Sequence, residues 1–174
     1  MTILQTERLR LRTMTYDDVD NLLRIFSDPI AMQYYPRTRE RDEVVSWVQR
    51  IQGYYRDYGV GMWVVQSRDS GEFYGQCGII PQVVHDETIE WEIGYAFIRQ
   101  FWHRGFAIEA AEACRDMGFS LRQASHLISI IHPNNLPSIR VAMKNGMAPR
   151  ELTTWRGHQV VVYQITQSQW ADRV

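Results

Sequence analysis

The sequence predicts a mixed α/β fold in which a central, mostly antiparallel sheet is flanked by helices. Three observations carry that expectation. Apolar residues recur at helical spacing in two segments of the first third of the chain, and the pattern changes to strand-like runs from Met62 onward. The last third then alternates between helical and strand patterning. No internal repeat, low-complexity tract or linker interrupts the 174 residues, so one domain over 1–174 is expected.

Taken in order, Leu9 and Leu11 alternate with Arg8, Arg10 and Arg12, which reads as a strand with one buried face. Thr15 opens a helix carrying Val19, Leu22, Leu23 and Phe26 on one side. Asp17 and Asp18 lie in its first turn, where the helix dipole favours acids, and Pro29 ends it. A second amphipathic helix runs from about Glu40 to Tyr58, with Val44, Trp47, Val48, Ile51, Tyr55 and Tyr58 on its apolar stripe and Gly59 and Gly61 closing it. Met62 to Arg68 and Phe73 to Ile80 are β-rich runs joined across Asp69-Ser70-Gly71, a good hairpin turn, and Glu87 to Ile98 continues as a third strand. Gly105 to Leu121 reads as a helix, His126 to His132 as a buried strand, and Pro137 to Asn145 as a short helix ending before Gly146. Strand-like patterning from Thr153 to Thr166 finishes the chain, giving the order β-α-α-β-β-β-α-β-α-β-β.

Composition excludes several classes of function. Nineteen Lys and Arg against 20 Asp and Glu leave a formal charge of −1, so no global basic field gathers nucleic acid or an anionic membrane. Cys77 and Cys114 form no CxxC pair and have no His at ligand spacing, which argues for two small buried residues instead of a disulfide framework or a zinc site. The five histidines form no metal set, and no GxSxG elbow or Walker loop is present. Met1 to Arg12 lacks the apolar core of a signal peptide, nowhere do 18 apolar residues run together, and a reducing cytoplasm is the default compartment.

The most informative stretch is Glu90-Trp91-Glu92-Ile93-Gly94-Tyr95-Ala96-Phe97-Ile98, followed by Arg99-Gln100-Phe101-Trp102-His103-Arg104-Gly105-Phe106-Ala107. Here a strand runs into a loop that opens a helix. The first N–H groups of that helix lack intrahelical partners, and Gly105 and Ala107 are small enough to let a phosphate reach them. His103 and Arg104 would add positive charge at the rim. The alternative is that Gly105 merely eases a turn.

This segment resembles the acetyl-CoA signature of the GNAT superfamily, Q/R-x-x-G-x-G/A, with Gly105 and Ala107 in the small-residue positions. Trp102 stands where Gln or Arg is usual, a departure similar to the branch containing the ribosomal-protein N-terminal acetyltransferases. That branch is also resembled by Glu92-Ile93-Gly94-Tyr95 (E-x-G-Y), Thr6-Glu7-Arg8-Leu9 (T-x-R-L), Asn135-Leu136-Pro137-Ser138 (N-x-x-S) and Lys144-Asn145-Gly146-Met147 (K-x-G-F). The resemblance implies a V-shaped opening between the strand ending near Ile98 and the strand ending near His132, with the pantetheine arm of acetyl-CoA between them. It further implies that Phe97 and Ile98 give backbone hydrogen bonds to the pantetheine and the acetyl carbonyl, that Gly105, Phe106 and Ala107 cradle the pyrophosphate, and that Asn135 contacts the arm. Asn135 also suits a helix N-cap before Pro137.

The resulting expectation is an acetyl-CoA-dependent N-acetyltransferase using no metal. An alkyl ammonium has a pKa near ~10.4, so attack requires a proton acceptor. Glu92 is the candidate base; it shares a strand face with Glu90, whereas Trp91, Ile93 and Tyr95 point the other way. The family's usual Tyr acid is missing, because counting from Asn135 and Ser138 puts Ala142 in its place; Ser138 is the substitute, set against a plain helix-start hydroxyl. Tyr34 and Tyr35 are candidates for an acceptor pocket. The acceptor is a primary amine, either the α-amine of a protein or peptide N-terminus or a small molecule such as a polyamine, amino acid or aminoglycoside. A weakly catalytic acyl-CoA-binding module is the rival of another class, and an exposed sheet edge leaves a homodimer open.

Overall fold

The computed structural model describes residues 1–121 and 123–173. Two short strands, β1 (Thr2–Gln5) and β2 (Leu9–Arg12), lead through a 3-10 turn (Tyr16–Asp18) into α1 (Val19–Phe26) and α2 (Arg41–Tyr58). Three antiparallel strands follow, β3 (Met62–Ser67), β4 (Phe73–Val83) and β5 (Ile89–Phe97). Beyond them come α3 (Phe106–Ser120), β6 (His126–Ile131), α4 (Leu136–Lys144), the hairpin β7 (Ala148–Trp155) and β8 (His158–Thr166), and a last turn of helix, α5 (Gln167–Ala171). The strands form one sheet ordered β1-β2-β3-β4-β5-β6-β8-β7, antiparallel except where β5 meets β6. Among the described residues no helix is long and apolar enough to cross a membrane.

The predicted order of elements is present, with two additions. β1 was not expected: its four residues are only half-buried at a sheet edge and show no clean alternation. Neither was α5, a five-residue helix whose start is set by reciprocal capping between Thr166 and Gln169. The C-terminal strand run also begins earlier than Thr153 and folds back on itself at Arg156-Gly157, both at positive φ (49° and 79°), as a tight hairpin requires.

Packing follows the sequence stripes. Val44, Val48 and Ile51 of α2 are fully buried, and Tyr55 beside them uses its hydroxyl twice, accepting from the Met14 N–H at 3.0 Å and donating to the Met62 carbonyl. Trp47 reaches the sheet through an Nε1–H bond to Gln76 (3.1 Å), so α2 covers the face of β4 that carries Gln76. On the opposite face Cys77 of β4 meets Cys114 of α3, with the two buried thiols 3.7 Å apart. The cysteines are small buried residues, as expected, but tertiary packing makes them neighbours.

Arginine and carboxylate pairs tie the N-terminal strands to the helices. Asp18, buried, accepts from Arg12 at 2.6 and 2.9 Å and from the Thr15 N–H at 2.9 Å; its hydrogen bonds raise the Arg12 pKa. Gly78 marks the tightest backbone approach in the sheet: a Cβ there would lie 2.0 Å from the Gly61 carbonyl oxygen. Backbone cannot step aside cheaply at such a contact. Gly78→Ala is therefore expected to destabilise the fold by about 2 kcal/mol or more, a drop of several degrees in Tm by differential scanning calorimetry.

Candidate active site

The parallel contact between β5 and β6 is a single residue pair, Glu92 with Ile128, beyond which the strands part. Parting strands expose ladder groups, and side chains take up two of them. The Ser129 hydroxyl donates to the Ile93 carbonyl at 2.8 Å, and Glu92 Oε1 accepts from the Ile130 N–H at 3.3 Å. Antiparallel alternation with β4 turns the N–H groups of Tyr95 and Phe97 away from β4, toward the side where β6 has diverged. The V-shaped opening expected from the sequence lies here. Ile98 departs from its expected role: its N–H donates to the Tyr74 carbonyl (3.0 Å) and its carbonyl accepts from the Phe101 N–H (2.9 Å). Phe97, by contrast, keeps its N–H toward the opening while its carbonyl accepts from Trp102 Nε1 at 2.8 Å. The Trp at the family's Gln/Arg position thus latches the loop that leads to α3.

A cavity of about 480 Å³ opens at the splay, and Glu92 lies in its wall. Burial pushes the Glu92 carboxyl up to about 7, against the opposing effects of the Gln82 amide (2.7 Å), the Ile130 N–H and the Arg156 charge. Glu90, on the same strand face, has the opposite fate. Arg150 (2.5 and 3.1 Å) and His126 (2.9 Å) pair with it, and Arg150 holds its carboxyl below the ordinary range. Of the two acids only Glu92 combines a cavity position with a proton affinity matched to neutral pH.

Residues 31–39, between α1 and α2, form the opposite wall. Tyr34 and Tyr35 both line the cavity. The Tyr34 ring packs on His132 at 5.4 Å, which joins this loop to the end of β6. Tyr35 is half exposed at the rim, but its hydroxyl end is desolvated and lies in the field of Glu92, and both raise its pKa. Trp155 and Arg156, at the β7–β8 hairpin tip, close the remaining side; Arg156 Nη2 donates to Gln82 at 3.3 Å, whose amide in turn donates to Glu92.

At the far end of the loop, Gly105 caps α3 with φ 79°, and a Cβ there would sit 3.3 Å from Arg8 Nη2. The first helical bond is Glu109 N–H to Gly105 carbonyl, which leaves the N–H groups of Phe106, Ala107 and Ile108 without intrahelical acceptors. Glu109 would repel a phosphate, but Thr6 (2.6 Å) and Arg8 (2.7 and 2.9 Å) bind its carboxylate and the Arg8 guanidinium covers the Phe106 ring at 4.6 Å. The T-x-R-L opening therefore neutralises the acid beside the free N–H groups of α3. His103 (φ 62°) and Arg104 are exposed in the loop just before them.

On the α4 side, Asn135 takes the N-cap role. Its Oδ1 accepts from the Ser138 N–H at 3.2 Å as an N-cap, while the residue still lines the cavity. The Ser138 hydroxyl is thereby spared from capping and has no hydrogen-bond partner among the described residues; the Ser138 carbonyl accepts from the Tyr95 hydroxyl at 2.7 Å. Ala142 is buried in the core at 1% exposure, so the position of the absent Tyr offers no acid. His132, not singled out from the sequence, accepts the Asn134 N–H on Nδ1 (3.1 Å), which leaves Nε2 to carry the proton of the neutral ring in the cavity wall.

Comparison with known proteins bears on this geometry. A family model described as "Acetyltransferase (GNAT) domain" matches residues 8–148. The chain belongs to the GNAT acetyltransferases. YkkB of Bacillus subtilis is 44% identical over 147 residues, covering 84% of this chain and 85% of that one. An acetyltransferase of Agrobacterium tumefaciens superposes with a TM-score of 0.84 at 25% identity, over 95% of this chain and 94% of the other. The fold is shared by a RimL ribosomal α-N-protein acetyltransferase (TM-score 0.77, 16% identity, 95% and 98% coverage) and an aminoglycoside acetyltransferase (0.78, 15%, 94% and 98%), both solved with coenzyme A. The GNAT chain is an acetyl-CoA-dependent acyltransferase, and the strand splay, the free N–H groups of α3 and the cavity between them fit such a donor.

Several lining residues of this GNAT cavity escaped the sequence: Gln82, Arg39, Ser129, His132 and Arg156. Only Arg156 had a local signal, the Arg-Gly pair of a tight turn. Two outcomes follow from the site. Gly105→Glu places a carboxylate where the α3 N–H groups point and strains a left-handed backbone, so isothermal calorimetry should show loss of coenzyme A binding, with retained circular dichroism. Glu92 holds its proton more tightly folded than unfolded, so its ionisation costs stability as pH rises from about 4.5 through about 7. Glu92→Gln is expected to leave Tm unchanged near pH 4.5 and to raise it progressively above, by up to about 3 kcal/mol of stability at pH 8.

Proposed function

We propose that this chain transfers the acetyl group of acetyl-CoA directly to a primary amine, with Glu92 as the base. The observation that carries the proposal is a desolvated carboxyl, pushed up to about 7, in the wall of the cavity at the β5–β6 splay. Ionised Glu92 takes a proton from the incoming ammonium, and the freed nitrogen lone pair attacks the thioester carbonyl. The N–H groups of Tyr95 and Phe97 lie toward the carbon–oxygen bond that gains charge. Collapse of the tetrahedral species breaks the carbon–sulfur bond; the second proton on the nitrogen passes to the departing sulfur, relayed by the Ser138 hydroxyl, the His132 ring or water, and Glu92 returns its own proton to solvent. Gly105, Phe106 and Ala107 hold the pyrophosphate, with His103 and Arg104 at its rim; Phe97 and Asn135 hold the pantetheine, and Tyr34 and Tyr35 line the acceptor side.

The α-amine of a peptide or protein N-terminus is one acceptor class: its pKa of about 7.7–8.0 lies within a unit or so of Glu92, so proton transfer is nearly balanced. A small-molecule amine is the second reading, supported by walls on three sides of the cavity, from Tyr34-Tyr35, Glu92 and the Trp155-Arg156 tip. Glu92→Gln is expected to lower kcat about 10²-fold or more with little change in coenzyme A affinity, and wild-type kcat should rise with pH through about 7. Thiol release across pH 6 to 9, from about one unit below neutrality to about two above, checks both; a Gln variant with full kcat throughout would remove Glu92 from the reaction.

A further inference from the structure

The charges around the cavity are lopsided. Three arginines line it, Arg39, Arg50 and Arg156, and the single carboxylate among the described lining residues is Glu92. None of the three arginines forms an ion pair among the described residues. Arg39 is the most constrained. Its guanidinium packs over Phe26 (4.8 Å) and Trp47 (5.5 Å), and desolvation lowers its pKa. Glu43, the carboxylate whose field it feels, is already held by both terminal nitrogens of Arg37. A guanidinium partly removed from water without a carboxylate is a binding demand that an anionic ligand can meet, and its planar fork suits a carboxylate.

Placement gives that demand a direction. Glu92, Tyr35 and Arg39 line the same cavity, so the base and the unpaired cation are presented to one ligand. A ligand with its nitrogen at Glu92 therefore has Arg39 in the same cavity for a second, anionic group. We infer that the preferred acceptor is an amine that also bears a carboxylate, with the carboxylate on Arg39. This rests on the reading of Glu92 as the base and adds the charge class of the acceptor. Spermidine-like and aminoglycoside-like polycations would bring further positive charge to a wall that already holds three arginines, and the site discriminates against them. The carboxylate could belong to a free amino acid or to an acidic residue opening a peptide; the chemistry at Arg39 is the same.

The experiment compares matched amines on the full chain with acetyl-CoA. The pairs are tyrosine with tyramine, histidine with histamine and lysine with cadaverine, together with glutamate, spermidine, kanamycin and tripeptides beginning with Glu or Lys. Expected is a kcat/KM at least about tenfold higher for the carboxylate-bearing member of each pair, the loss associated with one charge-assisted hydrogen bond. Arg39→Gln should raise KM for that member about tenfold or more while leaving kcat within about twofold, and Arg39→Lys should fall between. Glu92→Gln should lower kcat for every acceptor alike, so failure of the base and failure of the charge preference are separate results. Calorimetry of each compound against the coenzyme A complex ranks the panel without turnover and shows whether the Arg39 variants are folded. Preference for tyramine, histamine, cadaverine, spermidine or kanamycin, no carboxylate-bearing compound acting by either readout, or an Arg39→Gln variant with unchanged KM would each overturn the inference. Free amino acids and Glu-initiated tripeptides supporting turnover to different extents would identify the source of the carboxylate.

Discussion

One short parallel contact governs this structure. β5 and β6 touch at Glu92 and Ile128 and then separate, in a sheet whose other neighbours are antiparallel. Separation inside a protein leaves backbone donors and acceptors to be satisfied, and here Ser129 and Glu92 do so. Glu92 is thus a wedge before it is anything else. The burial that lets it serve the freed Ile130 N–H is the same burial that raises its proton affinity, so the architecture of the splay and the proposed reactivity of the carboxyl have one origin.

Both sides of the opening are held by contacts with distant parts of the chain. Thr6 and Arg8, more than 90 residues away in sequence, clamp Glu109 and the Arg104 carbonyl and so orient the start of α3. Asn145, buried at 1% exposure, donates to the Ala111 carbonyl and accepts from Arg115, which locks the end of α4 to the same helix. Tyr95 bridges from β5 to the Ser138 carbonyl. The cleft is a gap between rigid parts, and its width is set by these bonds.

Much of this was legible from the residues. Long amphipathic stripes, such as Val44, Val48 and Ile51, identified their helix because burial on one face leaves a 3.6-residue period, and Gly59, Gly105 and Gly146 marked ends because each takes a positive φ. Glu92, Asn135 and Ser138 were singled out through their motifs, and they line one cavity. The direction of the backbone at Ile98 was not legible, since it depends on strand register with Tyr74, a property of pairing and not of local sequence. Nor were Gln82, Arg39 and Arg156, which come from three different parts of the chain and meet only in the folded molecule. Thr6, Arg8 and Asn145 carried a family signature, yet their bonds are architectural.

The hairpin tip at Trp155-Arg156 has a different standing from the rest of the wall. It belongs to β7 and β8, with β7 at the sheet edge, while the β5 backbone and the start of α3 lie in the middle of the fold. A change in length or charge at that tip alters one side of the cavity and leaves the strand splay and the free N–H groups of α3 where they are. The molecule is in this sense modular across its own cleft: the half built on β5 and α3 is constrained by the core, and the other half hangs on a peripheral hairpin and the loop at 31–39. With the acceptor side proposed above, a change of acceptor on a constant core needs nothing more than drift at the periphery.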